Sequence, residues 1–363
     1  MTRKDFIKTC GVLGLALPLQ TTLSSCNDEN IDFQGKVIII GAGAGGLSAG
    51  YLLQQKGIEF EILEASARYG GRMRIDTDFA DFPIPLGAEW LETETGIFQE
   101  IVNDATTQVN IETVPDDPDQ KFVNYSWFNF FEDYILPPIA NKIAYNTIVQ
   151  SVDYSGNQIV VKTQNGEHTA DRVIISVPLQ VLRDEDISFT PPLPQDKRDA
   201  IDEPVIWEGF KAFFEFDENF YDDGFEVEID PQSDGQKIYY NAAHGQNTSR
   251  NILGLFTVGK PAREYLSLSE DELKASILNE LDIRYANQAS PNYVKHISQN
   301  WNKEPFIKAG YMADDADWKT VQKLGESVAN KLYFAGGAYT DGNDWVSVHT
   351  AAQSAKKAVD EII

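Results

Sequence analysis

The sequence predicts an α/β fold with a parallel sheet at its centre, and three observations support this prediction. A short apolar run at residues 37–40 leads directly into a glycine-rich turn at residues 41–46. The segment that follows, residues 47–53, is typical of a buried helix. A second apolar run at residues 58–63 comes next and ends at Glu64. This order of strand, glycine turn, helix, strand and acid is typical of a Rossmann-like βαβ unit.

The glycine turn has the spacing of a dinucleotide site. Gly41, Gly43 and Gly46 fill the three glycine positions of G-x-G-x-x-G. The first allows a tight turn, the second lets the backbone approach a pyrophosphate, and the third lets the helix pack on the strand. The helix N-terminus offers free N–H groups to phosphate, and Glu64 suits a ribose hydroxyl. A turn that binds nothing is the alternative, but the flanking elements favour the dinucleotide site.

Size and charge limit the function classes. A chain of 363 residues has room for two moderate domains. Its net charge of −26 argues against nucleic acid as a partner, because the phosphates would be repelled. The charge favours cationic ligands near a cleft, although a merely soluble acidic surface is the simpler interpretation.

Residues 1–26 have the features of an export leader. A basic start precedes an apolar run at residues 12–19 that is too short to span a bilayer. The segment ends in Leu-Ser-Ser-Cys at Cys26, which resembles the lipobox of bacterial lipoproteins. We therefore expect a periplasmic or outer-surface lipoprotein that contacts the membrane only through a lipid on Cys26. The start also resembles a twin-arginine signal with Lys4 in place of the second arginine; an ordinary signal peptide is the alternative.

No metal site is expected. Both cysteines, Cys10 and Cys26, lie in the leader, so no thiol follows it in the chain. The histidines beyond the leader that we considered, His168, His244 and His296, are scattered without the spacing of metal ligands.

A second glycine motif follows Glu64 and makes the prediction more specific. Residues 68–72 read R-x-G-G-R, in which the glycines allow close approach to a diphosphate that Arg72 can neutralise. With the first motif, this segment resembles the flavin-containing amine oxidases, which include monoamine, polyamine and L-amino-acid oxidases and the flavin histone-lysine demethylases. The resemblance implies that the three motif glycines, Glu64 and Arg72 bind FAD.

Further matches extend the resemblance to the C-terminus. The cofactor residues that it implies beyond the first motifs are Glu89, Trp90, Val149, Trp301, Gly336, Gly337 and Val348. Gly337 stands where relatives carry an acid that bonds the ribityl chain, and Asp341 or Asp344 is a candidate substitute. Gly310 stands where monoamine oxidases have the cysteine that binds FAD covalently, so we expect noncovalent FAD.

The resemblance also implies two catalytic residues. Lys211 matches the lysine that reaches the flavin N5 through a water. The residue pattern alone suggests a lysine that is solvent-facing or paired, with Glu215 as a candidate partner. Tyr311 matches the tyrosine over the flavin and is also a substrate residue. Ser347 replaces the second tyrosine of the aromatic pair in monoamine oxidases, so Trp345 is the candidate for the missing wall.

The resemblance implies two discontinuous domains. A glutathione-reductase-like FAD-binding domain is expected at residues 33–92, 146–195 and 297–363. An α+β substrate domain with a mixed sheet is expected at residues 93–145 and 196–296, with its helical part shortened relative to the family.

The function implied is an FAD-dependent oxidoreductase that oxidises a small amine or amino acid. Hydride passes to the flavin N5, and O2 reoxidises the flavin to give H2O2. Two alternatives remain open: a related FAD-dependent desaturase or isomerase of apolar substrates, and a lipoprotein that keeps the FAD fold without catalysis.

Overall fold

The computed structural model describes residues 33–115, 119–227 and 234–363. The leader predicted at residues 1–26, with its lipidation site at Cys26, lies outside these ranges. Within them, no helix is both long enough and apolar enough to cross a membrane.

The strands of the first half of the described chain are short and numerous. They are β1 (Lys36–Ile40), β2 (Glu59–Leu63), β3 (Ile75–Asp76), β4 (Ile84–Pro85), β5 (Trp90–Leu91), β6 (Thr113–Pro115), β7 (Gln120–Phe122), β8 (Ile143–Ala144), β9 (Val149–Asp153), β10 (Ile159–Thr163), β11 (Gly166–Ala170), β12 (Arg172–Ile175) and β13 (Ser188–Thr190). The strands that follow are β14 (Ile206–Trp207), β15 (Gly209–Phe216), β16 (Gly224–Glu226), β17 (Gly235–Asn241), β18 (Asn251–Gly259), β19 (Tyr293–Asn300), β20 (Tyr311–Met312) and β21 (Leu332–Phe334). Four of these, β15, β17, β18 and β19, are longer than the others.

The α-helices are α1 (Ala44–Gln55), α2 (Ile97–Val102), α3 (Trp127–Phe130), α4 (Leu179–Arg183), α5 (Gln195–Asp202), α6 (Glu270–Arg284), α7 (Ala289–Asn292), α8 (Trp318–Gly325) and α9 (Val348–Ile362). Three of them, α1, α6 and α9, are 12 to 15 residues long, and the others are shorter. A π-helix (Phe131–Ile135) continues α3, and 3-10 turns occur at Ala140–Lys142, Lys260–Glu264 and Trp301–Lys303.

The first apolar run forms the centre of a parallel sheet. The sheet has the order β21-β12-β1-β2-β8, and each pairing is parallel. A Cβ on Gly50 of α1 would lie 2.9 Å from the Ile62 side chain, so α1 packs closely on one face. The C-terminal helix α9 packs against α1. The predicted Rossmann-like α/β arrangement is therefore confirmed.

The other face of the parallel sheet is covered by a four-stranded sheet with the order β11-β10-β9-β13. Val152 and Val161 of this sheet share a core with Ile38 and Val173. Strand β9 pairs antiparallel with β10 and parallel with β13, so this sheet is mixed.

A second five-stranded sheet, with the order β16-β17-β18-β15-β19, forms the other half of the molecule. Every described pairing in it is antiparallel, which refines the predicted mixed sheet of the substrate domain. Alternate residues of β15 lie on opposite faces: Phe210 and Phe214 pack towards α6, and Phe213 packs on the opposite side. Helix α6 begins at the capping box between Ser269 and Glu272.

The predicted division into two domains stays a prediction, because contacts group residues 33–363 into a single unit. Two strands do not follow the predicted boundaries. Strand β8 lies at residues 143–144, within the predicted substrate segment, yet it joins the parallel sheet. Strand β19 extends past residue 297, yet it belongs to the antiparallel sheet.

Candidate active site

A cavity of about 1130 Å3 lies where the two halves meet. Gly41, Glu64, Ser176 and Gly336 contribute to its wall, and they follow the carboxyl ends of β1, β2, β12 and β21. The opposite wall comes from β15, β17 and β18. Ligands of open α/β sheets bind at the carboxyl ends of the strands, so this cavity is the candidate site.

The cavity brings together most of the residues predicted from the sequence. Those that line it are Gly41, Gly43, Glu64, Arg72, Glu89, Trp90, Val149, Lys211, Trp301, Tyr311, Gly336, Gly337, Ser347 and Val348. Gly46 and Trp345 are not among its lining residues.

The three motif glycines have different structural roles. Gly41 has a φ of 104°, and a Cβ there would lie 2.6 Å from the Ser176 carbonyl oxygen. A Cβ on Gly46 would lie 1.9 Å from the Gly41 carbonyl oxygen, so Gly46 serves the packing of the turn and not the cavity. The Cβ position of Gly43 has no atom within 4 Å and lies in open space at the N-cap of α1. A phosphate can therefore approach the backbone above Gly43.

Glu64 is held in place at the cavity wall by the turns around it. Its Oε2 accepts the Ala42 N–H at 2.7 Å, and its Oε1 accepts the N–H and the hydroxyl of Ser66 at 2.8 and 2.7 Å. These bonds fix the carboxylate, which keeps lone pairs for a ligand hydroxyl.

Arg72 supplies a positive charge to the same part of the cavity. Among the described residues it has no ion-pair partner, and its Nη1 donates to the Gly310 carbonyl oxygen at 2.5 Å. Burial lowers the pKa of this guanidinium, because no carboxylate compensates it. Gly71, with a φ of 56°, lies against the glycine turn, since a Cβ on it would be 3.3 Å from the Gly43 Cα. An open glycine cradle beside an unpaired arginine fits the diphosphate of the expected FAD.

Lys211 projects from β15 into the wall between the two halves. Its Nζ donates to Glu89 Oε2 at 2.7 Å and to the Pro85 carbonyl oxygen at 3.2 Å. It also lies 4.7 Å from the ring centre of Trp90. Glu215, the partner considered from the sequence, binds Arg250 at 2.9 Å instead. Lys211 is therefore paired. Its partner is Glu89, which lies in the cavity wall and was predicted only to bind the cofactor.

Tyr311 lies beside two carboxylates that the sequence did not single out. Ser347, at the N-cap of α9, donates its hydroxyl to Glu92. Burial, and then the charges of Asp314 and Glu92, raise the pKa of Tyr311. Burial also raises the pKa of Glu92 itself. A signal existed for Glu92, because it lies two residues after Trp90, which the resemblance places at the cofactor.

The structure places three candidates near the C-terminus outside the lining of the cavity. Trp345 does not form a cavity wall, and its Nε1 donates to the Ala313 carbonyl oxygen at 3.3 Å. Asp341 and Asp344 do not line the cavity and cannot substitute there for the missing acid at Gly337; Asp341 bonds Asn343, and Asp344 contacts His349. A Cβ on Gly337 would lie 3.2 Å from the Val346 Cα, so a larger side chain would be crowded.

The charged residues in the cavity wall are mostly acidic. The acids are Glu64, Glu89, Glu92, Asp119, Asp186, Asp223, Glu226, Glu304 and Asp314, and the bases are Arg68, Arg72, Lys211 and Lys308. A cavity with this excess of carboxylates attracts cations. Within the described ranges, no group of three or more His, Cys, Asp or Glu side chains is arranged to hold a metal ion.

Two family descriptions match the sequence. Residues 133–363 match the flavin containing amine oxidoreductases, and residues 39–105 match an NAD(P)-binding Rossmann-like domain. Together the two matches include most of the described chain.

Curated relatives are similar over about half of this chain. Lysine-specific histone demethylase 1 homolog 3 of Arabidopsis thaliana is 29% identical over 215 residues, which cover 57% of this chain and 13% of that protein. Polyamine oxidase 4 of Oryza sativa subsp. japonica is 28% identical over 230 residues, which cover 60% of this chain and 45% of that protein. The chain thus spans less than half the length of these relatives.

Solved structures of putrescine oxidase are similar over most of the chain. One with redesigned cofactor binding has a TM-score of 0.72 at 15% identity, and the match covers 91% of this chain and 99% of that one. The wild type bound to putrescine has a TM-score of 0.70, also at 15% identity. At this level of identity, the similarity shows a shared fold.

Proposed function

Because the chain belongs to the flavin containing amine oxidoreductases and is an FAD-dependent oxidoreductase, we propose that it oxidises a small amine or amino acid. The observation that carries this proposal is that Glu92 and Asp314 both line the cavity and that the charge of each acts on Tyr311. Carboxylates in a cavity wall attract a cationic ligand such as an ammonium group.

The binding residues divide into two groups along the cavity. The backbone at Gly41 and Gly43, with Arg72, would hold the diphosphate, and Glu64 would bond the ribose. Gly310 offers no thiol, so the cofactor would be held noncovalently. When bound, FAD would supply the redox chemistry, which is acceptance of a hydride from the α-carbon of the amine and reoxidation by O2 to give H2O2.

The chain's own residues prepare the amine. Glu92 would bind the incoming ammonium group through its carboxylate. Its raised pKa also allows it to take one proton from the substrate, which leaves the amine neutral and reactive. Tyr311 would flank the amine from one side, and Ser347 would orient Glu92 through the hydrogen bond between them. Lys211 would hold a water molecule next to the flavin N5.

A desaturase or isomerase of apolar substrates is the alternative within the same fold. Ser347 supports it, because the aromatic pair of monoamine oxidases is absent. The carboxylates around Tyr311 argue against it, since burying them beside an apolar substrate would be costly. The amine hypothesis is therefore preferred.

Product analysis separates the two functions. We expect the purified protein to release peroxide, ammonia and an aldehyde or keto acid from at least one member of a panel of amines and amino acids. Release of none of these products, together with conversion of an apolar substrate, would replace the amine hypothesis with the alternative.

A further inference from the structure

Four polar side chains form a buried cluster on the cavity wall, which we call the Glu89 cluster. Glu89 accepts hydrogen bonds from Lys211 Nζ at 2.7 Å and from the Tyr240 hydroxyl at 2.6 Å. Lys121 Nζ lies 4.0 Å from the second oxygen of Glu89 and donates to the carbonyl oxygens of Asn241 and Ala242. Glu89, Lys121 and Lys211 are each at most 6% exposed.

The surroundings of the Glu89 cluster are apolar. Trp90, Phe213 and Phe256 lie within 6 Å of Lys211 Nζ, measured to their ring centres. An isolated ammonium group would lose its proton readily in such a place. Burial does lower the pKa of Lys211, and the nearby Lys121 adds to this effect, whereas Glu89 acts in the opposite direction. Glu89 is thus the charged partner that opposes deprotonation of Lys211.

We propose that Glu89 is a positioning residue, whose carboxylate keeps Lys211 protonated and fixes its Nζ on the cavity wall. This inference rests on the proposed function, because it makes Lys211 a fixed hydrogen-bond donor and not a base during the reaction. Tyr240 fixes the same carboxylate from the other side. Replacing Glu89 with Gln would keep a hydrogen-bond acceptor for Lys211 Nζ but would remove the negative charge that opposes loss of its proton.

The test compares Glu89→Gln, Lys211→Met and the double variant with the wild type. Bound flavin is reduced chemically, without an amine, and the rate of reoxidation by O2 is followed by absorbance across a range of pH. At acidic pH, we expect the reoxidation rate of Glu89→Gln to approach that of the wild type. As the pH rises, the rate of this variant should fall towards that of Lys211→Met, and the fall should occur at a lower pH than in the wild type. Since only protonation of Lys211 is altered, the rate is recovered when the pH is lowered.

A second measurement does not depend on the flavin. The urea midpoint of unfolding is recorded for the same four proteins. We expect Glu89→Gln to lower the midpoint in the wild-type background and to change it much less when Lys211 is already Met. Glu215→Gln is the matched control, because Glu215 is paired on the same strand but does not line the cavity. Its effect should be equal in both backgrounds.

Two outcomes would overturn the assignment of Glu89. One is that Glu89→Gln reduces the reoxidation rate by the same factor at every pH. The other is that Glu89→Gln changes the urea midpoint equally in the wild-type background and in the Lys211→Met background. A protein that binds no FAD, or that O2 does not reoxidise, would instead contradict the proposed function. The urea midpoints would then still decide whether Glu89 positions Lys211.

Discussion

The hydroxyl of Ser347 donates a hydrogen bond to the carboxylate of Glu92. This bond joins the start of α9 to the turn that follows β5, and it lies next to Tyr311 in the cavity wall. A serine that orients a carboxylate thus stands where monoamine oxidases place a second tyrosine. This relationship suggests that the site recognises its substrate by charge on that side.

Replacing Glu92 with Gln should weaken the use of cationic amines. A hydrogen bond to a charged group is worth about 1.5–3 kcal/mol, so we expect kcat/KM to fall about 10- to 100-fold. Steady-state kinetics with the best amine of the panel measure this change. Glu100→Gln is the control, because Glu100 is exposed, lies outside the cavity lining and accepts a hydrogen bond from the Gln353 side chain. Equal kcat/KM values for the two variants would show that Glu92 does not contribute to substrate recognition.

The pH profile should carry the signature of Glu92. Burial raises the pKa of this carboxyl group, so it gains a proton at a higher pH than an ordinary glutamate. The protonated form neither attracts an ammonium group nor accepts its proton, and kcat/KM should therefore fall on the acid side of the profile. In Glu92→Gln this acid limb should be missing, and its persistence would assign the limb to another group.

Lys211→Met should slow flavin reoxidation while FAD stays bound. The predicted reason is the loss of the donor that holds water beside the flavin. Stopped-flow absorbance measures the rate, and the flavin-to-protein absorbance ratio measures the bound cofactor. Unchanged turnover would show that Lys211 has no part in the reaction.

Substitutions at two motif glycines should affect different properties, which are FAD binding for Gly43 and stability for Gly46. Gly43→Ala meets no atom in the protein, so we expect a folded protein with weakened FAD binding. Gly46→Ala places a Cβ against the Gly41 carbonyl oxygen, and we expect unfolding to become easier by about 1–3 kcal/mol. Gly96→Ala is the control, since its Cβ also meets nothing and lies outside the cavity. Urea unfolding and FAD titration of the apoprotein distinguish the three variants.

Export as a lipoprotein also stays a proposal, since it rests on the sequence around Cys26. If Cys26 is lipidated, Cys26→Ser should move the protein from the membrane fraction to the soluble fraction of the cell of origin. An unchanged distribution would favour an ordinary signal peptide.

The cofactor half of the site could be predicted because its determinants are local. The spacing of Gly41, Gly43 and Gly46 encodes one turn, and the structure places Gly41 and Gly43 on the cavity and Gly46 in the packing beneath. The pairing of Glu89 with Lys211 joins residues 122 positions apart on different strands. No periodicity specifies such a contact, because it depends on how the two halves pack.

The placement of the candidates near the C-terminus could not be predicted for a similar reason. Trp345 was expected to wall the cavity from its place in the sequence alone. The loop before α9 contains Val346 at a φ of 71°, which is unusual for a β-branched residue and is not indicated by hydrophobic pattern. The directions of Trp345, Asp341 and Asp344 follow from that loop, and they point to local bonds outside the cavity wall.

The central claim is that amines reduce an FAD held in the cavity. The most direct measurement is the flavin absorbance of the purified protein under anaerobic conditions during titration with amines and amino acids. We expect the oxidised flavin band to bleach with at least one of them and to return when O2 is admitted. A flavin-loaded protein whose band is unchanged by every member of the panel would contradict the account.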